Sequence, residues 1–375
     1  MSTCRSTHRA GALVLAAVLM LFVGYATVRT ATACTCITLR AENGAVVVGR
    51  TMEWAAFDVE STVAVVPRGC RFESDLGDGR KGVSWEARYG AAGFDYLDLD
   101  HFIDGMNEKG LVVNALYHPG FADYPPMEDG RSDQIEIQDV TLYLLNTCET
   151  VEEARAAVEK VRVVGRKMPQ IGGIPAPLHL LVTEPSGKQL VIEFCDQAVQ
   201  FYDAPLGVMT NSPRYDWHMT NLRNFANLSQ AEPEGREVRG VDIAPFGRGA
   251  GGLGMPGDMT PTSRFVRASV FSSTARDLAD GTEANYEIFR ILDNFNVSRT
   301  AQVGGKPMPG RAIRSGTQWT ASYDTRDLVI EYHTMDNRRV RRIDLRKIDF
   351  GSGACFRRQP MDKAPAQDIE DVTPA

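Results

Sequence analysis

The chain has 375 residues, of which 43% are hydrophobic and 24% charged, and a formal net charge of −7. This is the composition of an ordinary globular protein with apolar material for a sizeable core, and it excludes a disordered or collagen-like chain. The acidic balance argues against nucleic acid as a partner.

At the amino terminus Arg5, His8 and Arg9 precede an apolar run over 10–28, followed by Ala31-Thr32-Ala33. A basic start, an apolar stretch and small residues where a signal peptidase reads them define a secretory leader over 1–33, so the protein is expected to be exported, to the periplasm or beyond. Cleavage after Ala33 leaves Cys34 with a free α-amine. The same segment also admits an uncleaved anchor or a lipoprotein acylated on Cys34, although Ala31 stands where a lipoprotein prefers a large aliphatic residue. Membrane contact is expected through the leader alone, because no long apolar run follows it.

After Cys34 two short strands are predicted, 35–39 and 45–51, with Glu42-Asn43-Gly44 as the turn. Further strands are predicted at 62–67, 110–117, 178–184, 189–194 and 198–202, then at 317–323, 328–332 and 340–345. The capping box Thr150-Val151-Glu152-Glu153 starts a helix over 154–161. Prolines at the first helical position open two more, at Ser212-Pro213 and Thr260-Pro261, and 283–295 has the pattern of a fourth. Hairpins interleaved with helices favour an α+β fold of mostly antiparallel sheets covered by helices. With no repeat and no linker, the expected organisation is a single domain over 34–356 and a polar tail over 357–375 that need not be ordered.

Hydrolysing an amide takes a nucleophile, a base and donors aimed at the oxyanion. An amino-terminal cysteine supplies the first two, since its α-amine, with a pKa of about 7.7–8.0, can exchange a proton with a thiol of about 8.5. No histidine is required, and the six histidines show no metal-ligand spacing, so zinc is not expected. Gly247-Arg248-Gly249-Ala250-Gly251-Gly252 matches a dinucleotide fingerprint only formally, with no strand before it and no helix after it. Cys36 is expected as a buried thiol, and the cysteine spacing assigns no disulfide. Arg50, sixteen residues after Cys34, ends the second hairpin strand and so returns beside the first; it is placed to favour the thiolate, and Glu53 to orient the ammonium. On spacing alone a surface ion pair is an equal reading for both.

These residues resemble the choloylglycine hydrolase family, the N-terminal-nucleophile hydrolases that comprise bile salt hydrolases and penicillin V acylases. The resemblance rests on Cys34-Thr35 with Gly49-Arg50-Thr51-Met52, on Asp104-Gly105-Met106-Asn107-Glu108-Lys109-Gly110-Leu111, on Thr210-Asn211-Ser212-Pro213 with Asp216-Trp217-His218, and on Pro256-Gly257-Asp258-Met259-Thr260-Pro261 with Ser263-Arg264-Phe265. It implies an αββα sandwich, cofactor-free hydrolysis of a linear amide through a thioester, and a homotetramer. It makes Cys34 the nucleophile and base, Arg50 the arginine beside it, Asn211 an oxyanion donor and Arg264 a second active-site arginine. Taken without the resemblance, Asn211 is a helix N-cap and Arg264 a surface residue of a first helical turn.

Two positions depart from the family's commoner pattern. Glu53 stands where aspartate is usual. Tyr117 stands where bile salt hydrolases tend to carry asparagine and penicillin V acylases tyrosine; its backbone N–H is the group expected to serve the oxyanion. The expected substrate is a small amide with an apolar acyl group, bound near Phe57, Phe94 and Tyr96. Penicillin V and N-acyl homoserine lactones are preferred over conjugated bile salts, the rival within the family. A thiol-bearing lipoprotein or binding protein is the rival from another class.

Overall fold

Thr35–Arg40 and Val46–Glu53 pair antiparallel, with Cys36 opposite Arg50. Their turn is made by Asn43, whose Oδ1 accepts the Ala45 N–H at 2.9 Å, and by Gly44 at a φ of 83°, a conformation a side chain resists. The structure, a computed structural model, describes residues 34–298, 314–351, 353–364 and 366–374. The leader expected over 1–33 lies outside them, and no helix among the described residues is long and apolar enough to cross a membrane.

This hairpin is one side of a five-stranded antiparallel sheet that continues through Thr317–Asp324, Val329–Thr334 and Arg341–Asp344. Every residue of Val46–Glu53 is buried, because one face meets a second sheet and the other meets helices. Helices Pro261–Ser273 and Gly281–Leu292 cover that outer face. A Cβ on Gly49 would lie 2.9 Å from the Cδ1 atoms of Ile288 and Leu292, so the helix settles onto the strand only where the side chain is missing.

The second sheet has eight antiparallel strands, in the order Ala198–Asp203, Gln189–Cys195, Leu178–Thr183, Val112–Tyr117, Asp104–Asn107, Ala91–Phe94, Thr62–Val66 and Arg357–Pro360. Ile137–Thr147 and Val151–Glu159 pack on it. The result is an αββα sandwich. Between the sheets Phe94 lies 4.6 Å from the Trp319 ring and 5.3 Å from that of Tyr332, centroid to centroid.

The predicted strands are all present within a few residues of their expected bounds. Thr150 and Thr260 cap their helices by accepting the N–H of Glu153 and Ser263. Other expectations change. The helix assigned to Ser212-Pro213 begins at Tyr215, where Oε1 of the buried Glu193 accepts the Tyr215 N–H at 3.0 Å. Ile137–Thr147 escaped prediction because nine of its eleven residues are buried, the polar Gln138, Asp139, Thr141 and Asn146 among them, so polar positions do not mark a solvent face. The polar stretch from Arg357 does not start as a tail: Arg357–Pro360 forms the edge strand against Thr62–Val66, with Pro360 at its end, where a missing N–H is tolerated. Cys70 and Cys355, 285 residues apart, form a disulfide beside that strand.

Breaking this bridge by Cys355→Ser should destabilise the fold by about 2–5 kcal/mol, read as a lower melting temperature for the variant, and the same loss should follow treatment of the unmodified protein with reductant.

Candidate active site

Register, more than sequence proximity, assembles the site. Because Cys36 pairs with Arg50, and Cys34 shares the face of Cys36 by the two-residue period of a strand, Arg50 reaches diagonally to Cys34. Its Nη2 donates to Cys34 Sγ at 3.0 Å. On the other side, Cys36 forms an isolated antiparallel bridge with Met209, N to O at 2.7 and 3.1 Å. Continuing that register by two residues sets Asn211 opposite Cys34. The Cys34 N–H, a peptide group in the chain that includes Ala33, donates to Asn211 Oδ1 at 2.9 Å.

Arg264, on the first full turn of Pro261–Ser273, is fully buried and not a surface residue. Its Nη2 donates to Asn211 Oδ1 at 2.6 Å, Nη1 donates to Thr35 Oγ1 at 2.9 Å and also to the Cys34 carbonyl, and Nε donates to the Met259 carbonyl at 3.0 Å. Asn211 Nδ2 donates to the Tyr117 carbonyl at 2.7 Å. Two donors meet its oxygen and one carbonyl its nitrogen, so only one amide orientation satisfies the set. Asn211 is therefore no helix cap.

Arg50 Nη1 is held by Asp104 at 2.5 Å, both side chains being fully buried. Asp104 Oδ1 also accepts the Ala115 N–H at 3.2 Å. Burial pushes the Asp104 carboxyl up to about 6, with Arg50 opposing. The same desolvation raises the Cys34 thiol above its usual value, and Arg50 is the foremost cation drawing it back. Cys36 is pushed well up by burial, as expected of an inert thiol. Glu53 lies beside Cys34: Oε1 accepts from Thr317 Oγ1 at 3.0 Å, and Oε2 is buried without a hydrogen-bond partner among the described residues. Burial raises Glu53 to about 7, with Arg264 opposing.

An apolar cleft opens from Cys34, walled by Trp54, Phe57, Tyr96, Ile103, Tyr117 and Met168 among others. The rings of Tyr117 and Trp54 meet edge to face at 5.3 Å. Phe57 and Tyr96 fall where they were expected. Phe94 does not, being sealed between the sheets against Trp319. Asp104 received no role from the sequence, although it opens one of the blocks that carry the resemblance; an acid inside an apolar strand was the available signal.

Folding also gathers His118, His179 and Glu193, whose ligand atoms lie within 4.8 Å of one another. Strand pairing, not spacing, brings them together. The two imidazoles stack with centroids 4.2 Å apart and planes 10° from parallel, so their in-plane lone pairs do not converge on one tetrahedral ion.

The chain is similar to known proteins over most of its length. A model of the linear amide C–N hydrolases, choloylglycine hydrolase family, matches residues 34–357. A bile salt hydrolase/transferase of Clostridium perfringens is 27% identical over 315 residues, covering 84% of this chain and 93% of the relative. Among solved structures, a mutant conjugated bile acid hydrolase from Clostridium perfringens superposes with a TM-score of 0.75 at 25% identity, covering 91% of this chain and 100% of the other. A penicillin V acylase from Agrobacterium tumefaciens gives 0.69 at 25% identity, covering 88% and 92%.

If Arg50 is the cation that favours the thiolate, Arg50→Met should move the midpoint of Cys34 alkylation by iodoacetamide upward by about 1–3 pH units, with Cys36 unreactive throughout. An unchanged midpoint in a variant that still melts cooperatively would remove Arg50 from the chemistry.

Proposed function

The chain belongs to the choloylglycine hydrolase family and is a linear amide C–N hydrolase; we propose that it acts as an acylase of penicillin V type, with Cys34 as the amino-terminal residue of a processed chain. The observation that carries this reading is the convergence on Cys34: Arg50 Nη2 is 3.0 Å from its sulfur and Asn211 Oδ1 is 2.9 Å from its nitrogen. Cleavage after Ala33 turns that nitrogen into an α-amine held where a base for the thiol must sit.

The steps follow from these positions. The amine takes the thiol proton, and the sulfur attacks the acyl carbonyl. One Asn211 Nδ2–H is spent on the Tyr117 carbonyl, leaving the other for the oxyanion. As the C–N bond breaks, the ammonium returns its proton to the departing amine and a thioester remains. Water, deprotonated by the same amine, then releases the acid and restores the thiol. The uncommitted Glu53 Oε2 suits the ammonium, which arises only after processing.

The cleft supports an apolar acyl group. Its Tyr117–Trp54 wall suits a flat phenoxyacetyl group or a slim acyl chain better than a rigid steroid, which favours penicillin V or an N-acyl homoserine lactone. The bile salt reading is favoured by the Clostridium perfringens relative, itself a bile salt hydrolase/transferase. Catalytic efficiencies on penicillin V, an acyl homoserine lactone, glycocholate and taurocholate decide between them. Higher efficiency on either bile salt overturns the acylase assignment.

Asn211→Ala should lower turnover by about 10²–10³ with the melting temperature changed far less. Mass spectrometry of the exported protein should place its terminus at Cys34; a terminus at Cys36 or an acylated Cys34 would rule out the α-amine mechanism.

A further inference from the structure

Behind Asn211 lies a buried polar layer that the steps above do not use. His179 Nε2 is 3.0 Å from the Thr210 carbonyl oxygen, and His218 Nε2 is 2.9 Å from that of Asn211. A carbonyl can only accept, so each ring presents an Nε2–H there. The remaining nitrogen of His179, Nδ1, then faces Glu193 Oε1 at 3.3 Å, the oxygen that also accepts the Tyr215 N–H at 3.0 Å, and a carboxyl O–H there can accept the one while donating to the other. Glu193 and His179 are 0% and 2% exposed.

With Glu193 ionised, a neutral His179 would set acceptor against acceptor, either at Glu193 or at Thr210 according to tautomer. The pair escapes this only by holding one proton more than a carboxylate and a neutral imidazole carry together. That proton also leaves the pair without net charge, which is what a site deep in the fold favours. The neighbours supply no committed cation. His118, stacked on His179, has Nε2 3.9 Å from Glu193 Oε1 and is pushed down to about 3, chiefly by burial. Arg214 is engaged by Asp196, and Asp216 adds negative charge. Tyr202, Tyr215 and Cys195 are the other titratable groups that feel Glu193. Burial disfavours charge on either partner, raising Glu193 to about 7 and lowering His179 to about 4, so the neutral carboxyl beside a neutral imidazole is favoured over the ion pair.

We propose that Glu193 is a positioning residue of the hydrolase: protonated, it donates to His179 Nδ1, and through His179 and the Thr210 carbonyl it holds the backbone that aims the Asn211 amide. Ionisation of Glu193 releases that hold. The proposal rests on the assignment of Asn211 to the amide-cleaving site.

Glu193→Leu, which removes the donor, should lower kcat by about tenfold or more with KM little changed, and Glu193→Gln, which cannot ionise but can offer only an amide oxygen or an amide N–H where Oε1 both accepts from Tyr215 and donates to His179, should recover kcat at pH 6 only in part, above the leucine variant. The unmodified enzyme should lose activity as pH rises through 7. The glutamine variant should lack that fall, whereas the unmodified enzyme should keep about one-tenth of its pH 6 activity at pH 8, where a group titrating near 7 is about one-tenth protonated.

Stability gives a readout that needs no substrate. The folded pKa of this carboxyl lies above its unfolded value, so its contribution is complete below about 4.5 and is lost as pH rises to about 7. The melting temperature of the unmodified protein relative to Glu193→Gln should therefore fall across that window and stay level above it. A protein that hydrolysed no amide in the panel would sink the assignment of the Cys34 site, while this melting difference would still decide for or against the Glu193 pair. Should the glutamine variant fail to fold, ¹⁵N-histidine spectra of the unmodified protein should show His179 as the neutral Nε2–H tautomer at pH 6. An Nδ1–H tautomer there, or the same alkaline fall in both enzymes, overturns the proposal.

Discussion

Arg50 carries a guanidinium into the space between two sheets, and the site can exist only because each of its faces finds a partner there. Nη1 meets Asp104 on the second sheet, Nη2 meets Cys34 Sγ on its own sheet, Nε meets the Thr51 carbonyl at 3.2 Å, and the Trp319 ring lies 5.0 Å from the guanidinium carbon. A buried ion pair pays heavily in desolvation unless its remaining donors and acceptors are met, and removing one partner costs about 3–5 kcal/mol. Here Asp104 is met again by the Ala115 N–H. The same contact that clamps the sheets therefore aims a positive charge at the thiol and opposes the burial that raises its pKa.

Around that clamp, the other groups arrive by register. The hairpin turn sets Cys36 against Arg50, and the Cys36–Met209 bridge sets Asn211 against Cys34. Arg264 descends from an outer helix to tie Asn211, Thr35 and the Cys34 carbonyl together. Arg50 stands on a strand and Arg264 on a helix, which hold a constellation more rigidly than loops do, and Asn211, in a bend outside both kinds of element, is tied down by Arg264 and the Cys34 N–H. Behind it the histidines fix the Thr210 and Asn211 carbonyls, so the asparagine is held from its backbone as well as from its side chain.

The cleft is built from a different kind of contact. The cleft beside Cys34 is walled by apolar and aromatic side chains from several strands and from the segment that holds Met168 and Ile171. Such a wall selects by shape, and a few methylenes alter discrimination by only about 1–3 kcal/mol. The polar groups around Cys34 and the apolar surface of the cleft are thus largely separate, with Tyr117 belonging to both through its carbonyl and its ring.

Much of this was legible in the chain itself. Turn chemistry at Asn43-Gly44, caps at Thr150 and Thr260, and strand alternation depend on neighbours within a few residues, so the hairpin that brings Arg50 back to Cys34 could be read directly. The motif blocks pointed to Asn211 and Arg264. What the sequence could not decide was which distant groups meet. The partner of Arg50, the seat of Phe94 between the sheets, the Cys70–Cys355 bridge, the edge strand at Arg357–Pro360 and the facing of Glu193 with His179 all depend on how whole sheets stack. Arg264 and the Cys34 carbonyl are 230 residues apart in sequence. Local rules carry no information over such a separation; burial and the need to satisfy each buried polar group decide it, and both exist only in the folded chain.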